Sequence, residues 1–275
     1  MRFENTEVFN FEGALRGMRN PLNSWAKSDS IFDIYCEHED YGSECIDVVA
    51  DKWAEYLLKD QVYEEEKDYN NEFAKIAEEK REWLWRQGAS FIGTDHHYKL
   101  DLIGPNDMDL CRRLINGGGE HRKFLRQIMV SVDITAPLFW WKEFDTYKVG
   151  TTANSTSTMH KLASTPITFD CFETDDYSQA IINEVETGLP TDMVYELIQH
   201  LEELRQKYLE TKDKRYWKEL VRWLPNGWLQ TRTVTMNYEN LRNMYHQREY
   251  HKLTEWHSFC DWVKELPYAE ELIIS

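Results

Sequence analysis

The residues best placed to do chemistry fall in two short stretches. One is MNYENLRNMYHQR, residues 236–248. At 100° per residue its Asn237, Leu241, Met244 and Arg248 lie within about 60° of one another on a helix. Such a stripe is apolar in the middle and polar at both ends. Two polar groups on a buried face need hydrogen-bond partners. They sit either at a hydrated, acid-paired rim or against a ligand. A second stretch, Gly150 to His160 (GTTANSTSTMH), is almost wholly small and hydroxylic. Apolar and aromatic segments flank it, so it is not a flexible linker; its hydroxyls either cap a helix or line a pocket.

Elements that position these residues are visible in the patterning. Ile128, Val130, Val132 and Ile134 alternate with Met129, Ser131, Asp133 and Thr135, the period-2 pattern of a strand with two unlike faces. Ala136-Pro137 ends it and a helix follows over LFWWKEFDTYK. Pro105 opens a helix over 106–116 that Gly117-Gly118-Gly119 closes. An N-terminal strand precedes a short helix stopped by Asn20-Pro21. Residues 46–86 read as two helical pieces, the second dense in Glu and Lys and read as a solvated face, with Phe73, Ile76, Trp83 and Leu84 inward. Residues 163–190 read as loop with a short acidic helix, and an amphipathic helix spans 192–210. A long helix is expected from near Thr235 to about Tyr250, and a last one through Trp262.

Composition bounds the function. The 275 residues are 41% hydrophobic and 14% aromatic, enough for a sizeable core. A net charge of −17 repels phosphodiester backbones and anionic membranes, so neither nucleic acid nor membrane is an expected partner; a small anion needs only a few local cations. Five scattered cysteines without C-x-x-C spacing argue against a zinc site or a disulfide framework and for a reducing cytosol, hence a cytoplasmic protein. No targeting segment or membrane span is read, and no metal site.

Two further stretches, Arg222 ahead of Leu224-Pro225 and Gly118-Gly119-Glu120-His121, draw their interest only from a family resemblance. In order and interval the four stretches resemble the flavin-dependent thymidylate synthases, the ThyX family. That family carries an Arg before a Leu-Pro, an Asn after a Thr-rich strand end, and an Arg eleven residues later. Here stand Arg222, Asn237 and Arg248, with Asn243 at a second Asn of the same helix, although Arg222 is one residue closer to its Pro. Gly119-Glu120-His121 stands where the family has Gly-His before a strand, and Ala136-Pro137-Leu138-Phe139 matches its strand-ending turn. An Arg-Gln pair becomes Lys142-Glu143. The signature R-H-R-x-x-S-x-N-E-x-S-x-R-Y aligns with Tyr147–His160 after a one-residue slip: Thr152, Asn154 and Ser157 match, the basic triplet is reduced to Lys148, Glu becomes Ser155, and Arg-Tyr becomes Met159-His160.

The resemblance implies an α/β fold, a mainly antiparallel sheet flanked by helices, as a single ThyX-like domain over 1–275 with helical insertions at about 37–90 and 163–210. It implies a homotetramer that converts dUMP to dTMP, or performs a related C5 methylation or hydroxymethylation, with FAD and, if active, folate and NADPH. Nucleotide binding would fall to Lys142, Glu143, Lys148, Ser157, Arg222 and Arg248, and FAD binding to His121, Asn154, Asn237 and Asn243. Ser157 and His160 would be catalytic, His160 standing in for the lost Tyr as a near-neutral proton donor. Losing several charged contacts at ~1.5–3 kcal/mol each erases micromolar binding unless other residues compensate. A retired member that binds a nucleotide as a regulator or sponge is therefore the alternative.

Overall fold

The computed structural model describes residues 1–36, 43–63, 65–92, 97–175 and 193–275. The chain forms two compact units: Met1–Asn5 with Val132–Val234, and Thr6–Ser131 with Thr235–Ser275. Seven strands are described: β1 (Arg2–Phe9), β2 (Ile31–Cys36), β3 (Ala89–Ile92), β4 (His97–Leu102), β5 (Met129–Pro137), β6 (Thr152–Ser155) and β7 (Leu229–Asn237). They make a four-stranded sheet in the order β1-β5-β7-β6 and a three-stranded sheet in the order β2-β4-β3. The smaller sheet is antiparallel, pairing Ile34 with Leu100 and Ala89 with Leu100.

The β5 alternation is borne out. Val130, Val132 and Ile134 are buried while Met129, Ser131 and Asp133 are half-buried. Burying each such side chain stabilises by roughly 1.5–3 kcal/mol. The polar face pairs across the sheet: Thr135 Oγ1 lies 2.7 Å from Thr231 Oγ1 on β7, and Thr233 donates to Asp133 at 2.5 Å. Asn5 donates to Asp133 as well, at 2.8 Å. These two bonds hold the Asp133 carboxyl below its ordinary range.

In the first unit, the helix Leu138–Phe144 buries Trp140, Trp141 and Phe144, with Trp140 stacked on Phe144 at 5.1 Å. The helices Met193–Thr211 and Lys214–Trp223 pack Leu201 and Leu220 against Leu162, Ile167 and Phe172. Asp213 caps the second of these helices by accepting from the Arg215 N–H at 2.9 Å.

In the second unit, helices Ser43–Leu58 and Glu66–Gly88 account for the two pieces expected over 46–86. Their aromatics join a chain of edge contacts running Trp53–Trp83–Tyr268–Phe11–Tyr238. Pro105 opens the helix Pro105–Asn116, and Gly118 at φ +92° lets the chain leave it, as the sequence indicates. The C-terminal expectation needs correcting. No helix begins near Thr235: β7 runs to Asn237, and the helix is Tyr238–Arg248. Asn237 Oδ1 accepts from the Asn240 N–H at 2.9 Å, and Asn240 Oδ1 accepts from the Asn237 N–H at 3.2 Å. This reciprocal cap starts the helix three residues late. Asn237 is thus outside the helical stripe, while Leu241 and Met244 remain buried on it.

No described helix is long and apolar enough to cross a membrane. Of the segment expected as loop with a short acidic helix over 163–190, residues 176–190 lie outside the described residues, as do 191 and 192.

Candidate functional site

Where the four strands of the larger sheet come side by side in the first unit, each contributes polar groups to one cleft. β1 brings Arg2, β5 brings Thr135, and β7 brings Thr231; the chain just past β6 brings Thr156, Ser157 and Thr158. Lys161, Thr165 and Asp170 complete the polar lining, and Leu162, Cys171, Trp228 and Leu229 the apolar part. The recess holds about 210 Å³. A neighbouring recess of about 270 Å³ shares Arg2, Thr135, Asp170 and Leu229 and adds Glu173 and Asp175.

The local sequence explains how the hydroxyl segment is held. Gly150, at φ +80°, turns the chain after Val149 into β6, a conformation that side chains with a Cβ rarely adopt. Thr151 Oγ1 donates back to the Tyr147 carbonyl at 2.6 Å. Past β6, the Thr156 N–H donates to the Thr231 carbonyl at 2.9 Å, carrying the pairing with β7 one step further. Gln230 then clamps the segment: its Nε2 donates to the Thr156 carbonyl at 3.0 Å and to Thr158 Oγ1 at 3.3 Å.

Gln230 is itself fixed from behind. Arg232 Nε donates to Gln230 Oε1 at 3.0 Å, and Arg232 Nη1 donates to Asp145 at 2.7 Å. The guanidinium lies over the Trp141 ring at 4.2 Å, and Trp141 Nε1 donates to the Gln230 carbonyl at 2.9 Å. An Asp145–Arg232–Gln230 relay therefore positions Thr156 and Thr158, and Ser157 between them. Opposite, the turn after Pro225 is docked by the Leu138 N–H donating to the Trp228 carbonyl at 3.0 Å, and Trp228 meets the edge of Phe172 at 5.5 Å.

Two cations line the cleft. Arg2 and Lys161 are exposed to the cleft, and neither side chain has an ion-pair or hydrogen-bond partner among the described residues. Lys142 instead donates to Asn226 Oδ1 at 2.7 Å, and Arg222 pairs with Glu219. Two unpaired cations beside a row of hydroxyls in a chain of charge −17 make a site suited to an anion with further hydrogen-bonding groups.

Of the residues singled out from the sequence, Ser157 lines this cleft. Lys142, Glu143, Lys148, Asn154 and Arg222 belong to the same unit but not to its lining; Lys148 and Asn154 are exposed. His160 falls in the short helix Thr158–Lys161, and its side chain lies outside the described residues. His121, Asn237, Asn243 and Arg248 belong to the second unit. There Arg122 Nε donates to both carboxylate oxygens of Glu239, at 3.0 and 3.1 Å, which joins the Gly-His loop to the start of the helix Tyr238–Arg248. His121 and Asn243 are exposed, Asn237 is buried with its Oδ1 committed to the cap, and Arg248 packs over the Trp256 ring at 4.8 Å.

Sequence reasoning missed Arg2, Thr135, Thr231 and Lys161. Thr135 and Thr231 had a signal, since both sit at polar positions of alternating strands. Lys161 directly follows the hydroxyl segment. Arg2 had none, because only the strand order brings β1 beside β5.

No family model matches the chain, and no curated protein matches it. Solved structures similar to it include thymidylate synthase X from Helicobacter pylori with FAD and dUMP, at 17% identity, covering 62% of this chain and 82% of that chain with a TM-score of 0.45. Another is the flavin-dependent thymidylate synthase ThyX from Helicobacter pylori complexed with FAD and dUMP, at 13% identity, covering 89% of this chain and 97% of that chain with a TM-score of 0.44.

Proposed function

We propose that this chain is a thymidylate synthase-like protein that binds a pyrimidine deoxynucleotide in the cleft around Ser157. The observation that carries the reading is the convergence of Thr156, Ser157 and Thr158 with Thr135 and Thr231 beside two unpaired cations. Of the segment Tyr147–His160, whose spacing resembles the family's nucleotide signature, Thr156, Ser157 and Thr158 line the cleft. Rigid hydroxyls on a sheet can fix a nucleotide's orientation without reorganising, which is what a synthase that mainly holds its reactants in contact requires.

In this reading FAD, once bound and reduced by NADPH, would supply the hydride for C5 chemistry on dUMP, with folate supplying the carbon. His121, Asn154, Asn237 and Asn243 would hold the flavin; Asn237 offers its amide donors, its Oδ1 being the helix cap. The homotetramer implied by the resemblance belongs to the same proposal, and sedimentation as a monomer at micromolar concentration would count against it.

A second reading, binding without synthesis, is favoured by one observation. Lys142 and Arg222 are held by Asn226 and Glu219, and the signature's Arg is Met159. Complementation of a thymidine-requiring bacterium, alongside titration of the pure protein with dUMP and with FAD, separates the two. Growth without thymidine establishes the synthase. Binding of dUMP without growth or flavin establishes the binder, and binding of neither ligand overturns both.

A further inference from the structure

We infer that Arg2 and Lys161 form the seat for a phosphomonoester in this cleft, taking over the charge that the degenerate signature has lost. The inference rests on the nucleotide reading above for the rest of the ligand, but the anion seat itself rests on the two cations. Arg2 comes from β1 and Lys161 from the turn of helix after Ser157, so they reach the cleft from different elements. Neither side chain has an ion-pair or hydrogen-bond partner among the described residues, although the chain holds 49 acidic residues against 32 basic ones. Other exposed cations of the chain are either paired with carboxylates, as Arg16, Arg113 and Lys207 are, or stand apart on the surface, as Lys148, Lys214 and Lys218 do; Arg2 and Lys161 line one cleft together beside its hydroxyls.

The recess around Ser157 also holds the carboxylate of Asp170, likewise without a partner among the described residues, whereas Glu173 and Asp175 line the neighbouring recess, Asp175 paired with the Met1 ammonium group. A carboxylate repels a phosphate but accepts from a hydroxyl or an imino N–H. Two cations, one acceptor and a row of hydroxyls therefore select an anion that carries hydrogen-bond donors: a phosphorylated sugar or nucleoside in preference to inorganic phosphate. The half-buried Trp228 ring and Leu229 supply an apolar wall for the ligand's ring portion.

Calorimetric titration of the full chain with dUMP, deoxyuridine and ribose 5-phosphate tests this. Wild type is expected to bind dUMP at least tenfold more tightly than deoxyuridine. Arg2→Ala and Lys161→Ala should each weaken dUMP by roughly 10- to 100-fold, the scale of one charge-assisted contact. Arg2→Lys and Lys161→Arg should recover most of it, and melting temperatures should stay at the wild-type value. If wild type binds dUMP and both alanine variants bind it equally well, the seat is elsewhere and the inference falls while the nucleotide reading stands. If wild type binds ribose 5-phosphate through Arg2 and Lys161 but not dUMP, the nucleotide reading falls and the seat stands. Binding of none of the three probes overturns both.

Discussion

Around Asp107, in the second unit, and around Ser157, in the first, the chain gathers the same kinds of group: an arginine, a carboxylate and several hydroxyls. Asp107 is fully buried. Its Oδ1 accepts from Arg19 Nε at 2.6 Å, and its Oδ2 accepts from the hydroxyls of Ser28 and Ser30, each at 2.6 Å, and from two backbone N–H groups at 3.3 Å. Five donors face the carboxylate, only Arg19 Nη2 within the cluster being buried without a hydrogen-bond partner, and the cluster ties the segment 24–30 to the helix Pro105–Asn116. In the cleft, Arg2, Lys161 and Asp170 face open space instead, while the groups behind them are fully engaged through Gln230, Arg232 and Asp145. Residue type does not separate a structural centre from a binding site; the state of its hydrogen-bond partners does.

The comparison predicts opposite responses to removing one charge. Asp107→Ala leaves the Arg19 guanidinium buried without a counter-ion and should cost about 3–5 kcal/mol in urea-unfolding free energy. An apolar double replacement of Arg19 and Asp107 should cost clearly less, because it buries no lone charge. If the single and double changes cost the same, the centre is not a satisfied pair and the contrast fails.

Asn237→Ala should cost about 1 kcal/mol, the usual scale of a lost N-cap, while Asn237→Asp should keep the cap and most of the stability. Equal loss from both would mean that the amide donors of Asn237, and not its Oδ1, do the holding.

Acid should act on the first unit through Glu202. The hydrogen bonds from Arg205 hold its carboxyl well below the ordinary range, down to about 2, with the Ile167 N–H and Gln206 assisting. A depressed carboxylate stabilises above its ordinary value near 4.5, and that contribution disappears as pH falls from there towards 2. The pair is partly solvated, so Glu202→Gln should cost no more than ~1 kcal/mol at pH 7 and nothing at pH 2. A constant difference between wild type and variant across that range would contradict the assignment.

The smallest effect belongs to the cleft. Arg2→Ala and Lys161→Ala should change unfolding free energy by less than ~0.5 kcal/mol, as surface substitutions do. A larger loss would make them scaffold.

Much of this fold was legible in the sequence, for reasons that are local. Pro105 and Gly118 mark the ends of a helix through backbone geometry alone, and the β5 alternation follows from one buried face. The start of the helix after β7 was set a few residues early because nothing in Thr235-Met236 marks the end of the strand, and the Asn237–Asn240 cap decides it. The stripe that ended in Arg248 was read as site or rim; the structure puts the guanidinium over Trp256, a contact no helical wheel contains. Thr156, Ser157 and Thr158 were readable as part of a cleft because they are contiguous in a hydroxylic segment. Arg2 was not, since its place depends on β1 pairing beside β5 across more than a hundred residues.

The central claim is that the ligand sits in the cleft beside Ser157, and amide hydrogen exchange with and without dUMP tests it most directly. Saturating dUMP should slow exchange in the peptides covering 152–161 and 228–232, with deoxyuridine at the same concentration giving a much weaker effect. Slowing confined to 237–248, or absent from 152–161 while dUMP is demonstrably bound, would contradict the account.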